Sequence, residues 1–513
     1  MIFIILCAVI FVVLYFYGTR NHDYWKKRGV IYEEPIPFFG SNLKFALEGS
    51  SFTERFVNFH HRYPKEKYVG YFQGNDPMLL LRDPEMIKLV LVTDSRHFHH
   101  RGLRPHAEIT EPLMKNLFIA DGDLWKLSRV KMTPAFTTNK LKAMFPTIVI
   151  QAEKLIGVVD DTIERGCREI DVRELMARYT TDFIGVCGFG INVDSLQEDA
   201  NEFRKLGKRI FTRKLRDIII GVLKVTSPTL FKQLHIMAPD ITIPTINLVK
   251  SIMKQRNYVP SGRNDFVDFM LEVRQKGDIV GESVEEFNED GTPKIVRLEV
   301  DDELIAAQVF AFFAAGFETS SSTSSFLLHL LAYHPEEQVK CQKEVDDVLQ
   351  KYDEKLCYDA VKDMKYLESA FKESMRIFPP IGFITRKCTK NYTFPGTGLT
   401  LEKGTGVFIS TQALQNDEQY FKSPEEFMPE RFLPGNSPTI EKFSFLPFGD
   451  GPRACIGERM GQMQALAGVA TVLSRFTVTP SPKTVRTPRI DPSSAVISSV
   501  TEGLPLLLSR RVR

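Results

Sequence analysis

Two stretches of this 513-residue chain hold residues whose types and spacing suit chemistry. The first, from Phe445 to Gly457, reads Phe-Leu-Pro-Phe-Gly-Asp-Gly-Pro-Arg-Ala-Cys-Ile-Gly. It places Cys455 just before a helix-prone segment from Glu458 to about Leu473. A thiol there stands at the positive end of a helix, near unpaired backbone N–H groups that favour the thiolate. Gly451 and Gly457 allow tight turning and close approach to a flat ligand, Pro447 and Pro452 stiffen the loop, and Arg453 adds positive charge nearby. The bland alternative is a buried structural cysteine beside a glycine-rich turn. The second stretch is Ala315-Gly316-Phe317-Glu318-Thr319-Ser320, where an acid and an alcohol adjoin inside a long apolar run.

The elements that position these groups follow from pattern. Asp302 to His334, closed by Pro335, is expected to be one helix roughly 45–50 Å long at 1.5 Å per residue. Gly316 at its middle costs about 1 kcal/mol relative to Ala and so asks for a reason, which we take to be room for a bulky cofactor. Thr319 can bond back to the carbonyl four residues earlier and open the ladder locally. Leu124 to Met132 is expected to be a helix, with Trp125 and Arg129 four apart on one face. Glu373 and Arg376, three apart on a further helix, can pair, and Arg431 can complete a charged triad. After Phe378-Pro379-Pro380 the chain must leave helix for an extended path that reaches Arg386.

Elsewhere, Tyr68 to Leu81 has strand-like character and Pro84 to Val92 looks helical. Residues 96–122 have the composition of an irregular loop. Residues 141–275 alternate helical periodicity with breaks, and Phe203–Phe211 with Leu215–Leu223 suits a helix pair. Residues 276–299 are acidic and polar, and an exposed loop is expected there.

The pattern Phe-x-x-Gly-x-Arg-x-Cys-x-Gly, met by Phe448, Gly451, Arg453, Cys455 and Gly457, resembles the haem-ligand signature of the cytochrome P450 family. Ala315–Ser320, Trp125/Arg129, Glu373/Arg376 and Pro429-Glu430-Arg431-Phe432 resemble further motifs of that family, in the same order. The resemblance spans nearly the whole chain and is strongest to insect microsomal members. It implies a mainly α fold with small β-sheets, and haem b with Cys455 as the axial thiolate and metal ligand. It further implies Trp125, Arg129 and Arg386 at the haem propionates, with Phe448, Arg453 and Gly316 also at the cofactor. Thr319 and Glu318 would help deliver protons during dioxygen activation, and Glu373, Arg376 and Arg431 would lock the core. One departure is Gln415, where the family often has His.

The implied activity is insertion of one oxygen atom from dioxygen into a small apolar substrate. NADPH electrons would arrive through a separate NADPH–cytochrome P450 reductase, with cytochrome b5 a further candidate donor. Insect hormones, fatty acids, plant toxins and insecticides or other xenobiotics are the substrate classes open by analogy. A haem-thiolate isomerase or dehydratase, and a haem sensor or carrier, are the competing readings. The Glu318-Thr319 pair argues against the first, and the anchor and Thr319 groove are unexplained by the second.

A net charge of +2 argues against nucleic acid as a partner. Seven cysteines without paired spacing fit a reducing compartment. Met1 to Tyr17 carries no charge, and Arg20, Lys26, Lys27 and Arg28 follow it. A basic start and a small-residue cleavage site, which a signal peptide would want, are both missing, so an uncleaved anchor is expected. The cationic cluster then places the body on the cytosolic side of the endoplasmic reticulum membrane. The expected organisation is an anchor at 1–18, a basic and proline-containing linker at 19–40, and a haem-binding catalytic domain at 41–513.

Overall fold

The computed structural model describes residues 2–41, 43, 50–103, 111–196, 202–226, 229–492 and 496–511. The central element is the 32-residue helix Asp302–Tyr333, as the sequence pattern requires. Asp301 caps it by accepting from the Leu304 N–H at 2.6 Å, and Asp302 and Glu303 load its first turn with negative charge. His334 ends it before Pro335, which disfavours helix at the residue preceding it.

Buried serines would be costly in such a helix without partners. Most satisfy themselves: Ser324 donates to the Ser320 carbonyl at 2.8 Å, Ser325 to that of Ser321 at 2.8 Å, and Thr323 to that of Thr319 at 2.9 Å. The small side chains then admit close neighbours. Helices Val172–Ile184, Lys365–Ile377, Pro239–Gln255 and Glu458–Arg475 pack around the central one. Their aliphatic and aromatic side chains form one large core.

A four-stranded sheet lies to one side. Tyr68–Gln73 pairs antiparallel with Asp76–Leu81, so the expected strand region is a hairpin. Asp76–Leu81 runs parallel to Gly406–Ile409, which pairs antiparallel with Ile384–Lys387. That last strand is the extended path expected after the prolines, and it carries Arg386.

Residues 276–299 correct the loop expectation. Ile279–Phe287 and Pro293–Leu298 form an antiparallel hairpin that packs on the helix Gly122–Met132. Ser283 donates to Asp123 at 2.7 Å and the Val284 N–H does so at 2.6 Å, so one carboxylate fastens the hairpin. Residues 104–110 of the expected 96–122 loop lie outside the described residues, and the remainder includes the short 3-10 turns Ser95–His97 and Pro112–Lys115.

Ile2–Thr19 is a single exposed helix, long and apolar enough to cross a membrane. The central helix is also long enough, but it is less apolar and is mostly buried in protein. The segment expected as a linker packs on the body: Trp25 is fully buried and donates to the Tyr71 carbonyl at 3.1 Å. A Cβ on Gly70 would come within 2.5 Å of the Trp25 ring, so the strand needs glycine there.

Candidate active site

The cysteine loop is shaped by two glycines in the left-handed region, Gly449 at φ 68° and Gly451 at φ 71°. A Cβ on Gly451 would fall 1.8 Å from the Leu91 carbonyl oxygen, which leaves glycine as the residue that fits. Asp450 accepts from the Gly451 N–H at 2.6 Å, and the Cys455 N–H donates to the Phe448 carbonyl at 2.9 Å. Phe448 itself is half-buried against the main core. Glu458–Arg475 then begins as a helix with Gly457 at its cap position.

Cys455 presents accessible surface although protein surrounds it on every side, so its sulfur faces interior space. Burial pushes the thiol up from its ordinary value, against the opposing pull of the Gly457 N–H and of Arg101 and Arg129, while Glu458 pushes with it. This corrects the simple helix-terminus expectation: desolvation outweighs the N–H groups and the cations. A cation bound at the sulfur is what would stabilise the thiolate.

Arg453 is more firmly held than a free charge beside the thiol. Its guanidinium lies 3.9 Å from the Trp125 ring centroid. It donates to the carbonyls of His99 and Ala120, each at 2.8 Å, and to Asp121 at 3.0 Å. Arg129, one turn after Trp125, donates to the Ala454 carbonyl at 2.8 Å. Trp125 thus meets the Arg453 side chain and Arg129 the Ala454 carbonyl, so the pair reaches the cysteine loop at two adjacent residues.

A further arginine, Arg101, was not singled out in the sequence. Its backbone N–H donates to Asp121 at 2.8 Å and its guanidinium to the Arg453 carbonyl at 3.0 Å. The only signal was the density of His and Arg in residues 96–101. Arg386 completes the group; it is buried and donates to the adjacent Thr385 carbonyl at 2.8 Å. Burial pushes Arg101 down to about 10, Arg386 to about 9 and Arg453 to about 8; repulsion by Arg101 is the next cause at Arg386 and Arg453, whereas Cys455 opposes the shift at Arg101. Asp121 is the carboxylate that counters them.

Four gathered guanidiniums beside an interior thiol, with one carboxylate among them, fit a ligand with two carboxylates and a thiolate-binding metal. Haem b has that chemistry.

On the central helix, Thr319 donates to the Ala315 carbonyl at 2.6 Å, the back-bond expected, while the helix stays continuous through it. Gly461, six residues after Cys455, lies against Ser320, the neighbour of Thr319, so the helix that follows the cysteine loop meets the second stretch. At Gly316 a Cβ would come within 2.4 Å of the Ile184 Cδ1, so the helix Val172–Ile184 also crowds this position. Glu318 does not stand free beside the alcohol either; it is buried and ion-paired with Arg173, which also donates to Ser321 at 2.9 Å.

Behind the cysteine loop, Glu373 and Arg376 are both fully buried and pair through two bonds of 2.8 and 2.9 Å. Arg431 reaches Glu373 at 3.3 Å. Gln415, at the departure from the family pattern, donates to the Met375 carbonyl at 2.9 Å and accepts from the Leu446 N–H at 3.0 Å. It thus joins the Glu373 helix to the cysteine loop.

Comparison with known proteins agrees with this geometry. The family model for cytochrome P450 matches residues 32–505. The chain is 36% identical to cytochrome P450 6B6 of Helicoverpa armigera over 96% of its length and 95% of the relative's. It is 34% identical to cytochrome P450 6a2 of Drosophila melanogaster, covering 97% of each chain. With cytochrome P450 9e2 of Blattella germanica the identity is 37% over 91% of each. On a match that reaches from the sheet to the final strand, the chain belongs to the cytochrome P450 family of haem-thiolate monooxygenases.

Proposed function

We propose that this chain is a membrane-anchored monooxygenase of the endoplasmic reticulum that oxygenates small apolar molecules with NADPH electrons delivered by a flavoprotein reductase. The observation that carries the reading is the gathering of Arg101, Arg129 and Arg386 with Arg453 beside the Cys455 loop. When bound, haem supplies the oxygen-activating chemistry, with the thiolate pushing electron density onto iron.

The chain's own residues orient, shield and relay. Cys455 ligates the iron, and its loop is braced by Arg129 and by the Arg453–Trp125 stack. The guanidiniums hold the propionates by charge-assisted bonds. Thr319 donates its O–H to the Ala315 carbonyl, so its oxygen is free to accept a hydrogen bond, and that O–H must turn away from the carbonyl before it can hand on a proton. Glu318 is the acid one residue away, and its ion pair with Arg173 must loosen before it can turn to that task. Phe313 and Phe317, packed with Phe203 and Phe211, give the central helix an apolar flank that excludes water.

The exposed Ile2–Thr19 helix fits an anchor, with the basic residues after it on the cytosolic side. Insect hormones and xenobiotics, insecticides included, are the substrate classes that this reading favours.

The test is incubation with labelled dioxygen, NADPH and a reductase across a panel of apolar compounds. Labelled oxygen in a product, with matching NADPH consumption, is the expected result. Rearranged products without label and without NADPH use would instead favour the isomerase reading.

A further inference from the structure

We propose that His99, His100 and Glu285 form a binding site for a divalent transition metal, with zinc the best fit, separate from the haem centre. The donor atoms of the three side chains all lie within 4.8 Å of one another. Zinc takes nitrogen and oxygen ligands at about 2.0–2.2 Å, so small side-chain rotations would close the set around one ion. A water would complete a four-coordinate site.

His99 is the residue that points to a ligand. Its Nδ1 lies 2.9 Å from the Arg96 carbonyl oxygen. A carbonyl only accepts, so Nδ1 carries the proton and Nε2 carries a lone pair. His99 is 8% exposed, and its Nε2 is buried with no hydrogen-bond partner among the described residues. A buried imidazole nitrogen left unpaired is costly. A ring fixed by Nδ1–H to a backbone carbonyl, with Nε2 free, is the arrangement that metal-ligating histidines adopt.

The other two ligands are already close. His100 Nε2 lies 2.7 Å from Glu285 Oε1, and the His99 and His100 rings meet edge to face at 4.6 Å. Glu285 comes from the Ile279–Phe287 strand, and the missing side chain of Gly122 makes space for it. A Cβ there would lie 2.5 Å from the Glu285 carboxyl carbon. In the metal-free form His100 Nε2–H donates to Glu285, so an ion bound there displaces that proton to solvent. Arg453 faces His99 and Lys403 faces Glu285, so the site is not strongly anionic. Imidazole ligands, rather than accumulated negative charge, would have to hold the ion. That selects zinc, copper or nickel over calcium and magnesium, which want oxygen. A metal here would staple the hairpin to the loop whose His99 carbonyl accepts from Arg453 at 2.8 Å.

The test uses full-length haem-loaded protein dialysed against a chelator, then titrated with zinc chloride against a coloured zinc indicator. One zinc per chain is expected. Because each variant removes one of three protein ligands, His100→Ala and Glu285→Gln should each weaken binding by about tenfold or more. Both positions are more exposed than His99, so they avoid the folding risk of His99→Ala. Magnesium chloride should not compete. If zinc binds the His100→Ala/Glu285→Gln double variant as tightly as the parent, or does not bind stoichiometrically, the cluster is only a His–Glu hydrogen bond beside a buried ring. Haem content read from the Soret band in each sample keeps this result independent of the oxygenase reading.

Discussion

The Arg453 guanidinium lies face-on to the Trp125 ring at 3.9 Å, while three hydrogen bonds fix its edges to His99, Ala120 and Asp121. The two residues belong to motifs more than three hundred positions apart, and their contact is what joins the helix Gly122–Met132 to the cysteine loop. Partly desolvated cation–π pairs are worth about 1–2 kcal/mol. Trp125→Leu should therefore loosen the loop and release haem several-fold faster into an excess of haem-free myoglobin. Arg453→Lys should do so more strongly, since an ammonium cannot make the three-edged contact. Unchanged release in both variants would remove the stack from any role in holding the cofactor.

Arg386 should act in opposite directions on the two states of the protein. Without haem it is a buried cation beside Arg101, and its charge is a burden. With haem it gains a carboxylate partner. Arg386→Gln is expected to weaken haem retention, read from the Soret-to-protein absorbance ratio, while leaving the thermal midpoint of the haem-free chain equal or higher. A fall in both would mean that Arg386 is a structural residue only.

Gln415 bridges the Met375 carbonyl and the Leu446 N–H in a fully buried position. Replacing it by Leu strands both backbone groups, and each unsatisfied group costs about 1–3 kcal/mol. Gln415→Leu should lower the denaturation midpoint and speed thermal loss of the thiolate-ligated carbonyl spectrum. Gln415→His, which restores a donor and an acceptor, should recover much of the loss.

Thr319 and Glu318 can be separated from scaffolding by the coupling of NADPH use to product. Thr319→Ala should keep haem yet divert NADPH electrons into hydrogen peroxide, and Thr319→Ser should restore part of the coupling. Arg173→Met releases buried Glu318 from its ion pair. With haem content unchanged, the share of NADPH electrons that ends in product should change in Arg173→Met and fall in Glu318→Gln. Coupling that stays in place in both variants would exclude Glu318 from the proton path.

Much of this site was readable in the chain because backbone demands leave marks. Gly451 must be glycine against the Leu91 carbonyl, and a thirty-residue apolar run capped by Asp301 and stopped by Pro335 can hardly be anything but helix. Partners distant in sequence left no such mark. Glu318 sits beside Thr319 in sequence, but its ion pair is with Arg173, on a helix 145 positions earlier. Gly316 likewise meets Ile184, at the far end of that same helix. The hairpin 279–298 was hidden by its acidic residues: few of its side chains turn inward, and Asp123 holds it through Ser283 and a backbone N–H rather than through an apolar face. Its Asp290-Gly291 turn was the signal available, with Gly291 at φ 82°. Arg101 had no motif around it, and only the fold brings it to Asp121.

Cys455 as the thiolate ligand of haem is the claim on which the rest depends, and the reduced carbonyl complex reports on it directly. In the parent protein, carbon monoxide bound to the dithionite-reduced form should give the red-shifted Soret band of thiolate ligation. In Cys455→Ala that band should be absent while the far-ultraviolet helical signal persists. A red-shifted band surviving in Cys455→Ala would place the ligand elsewhere and contradict the assignment.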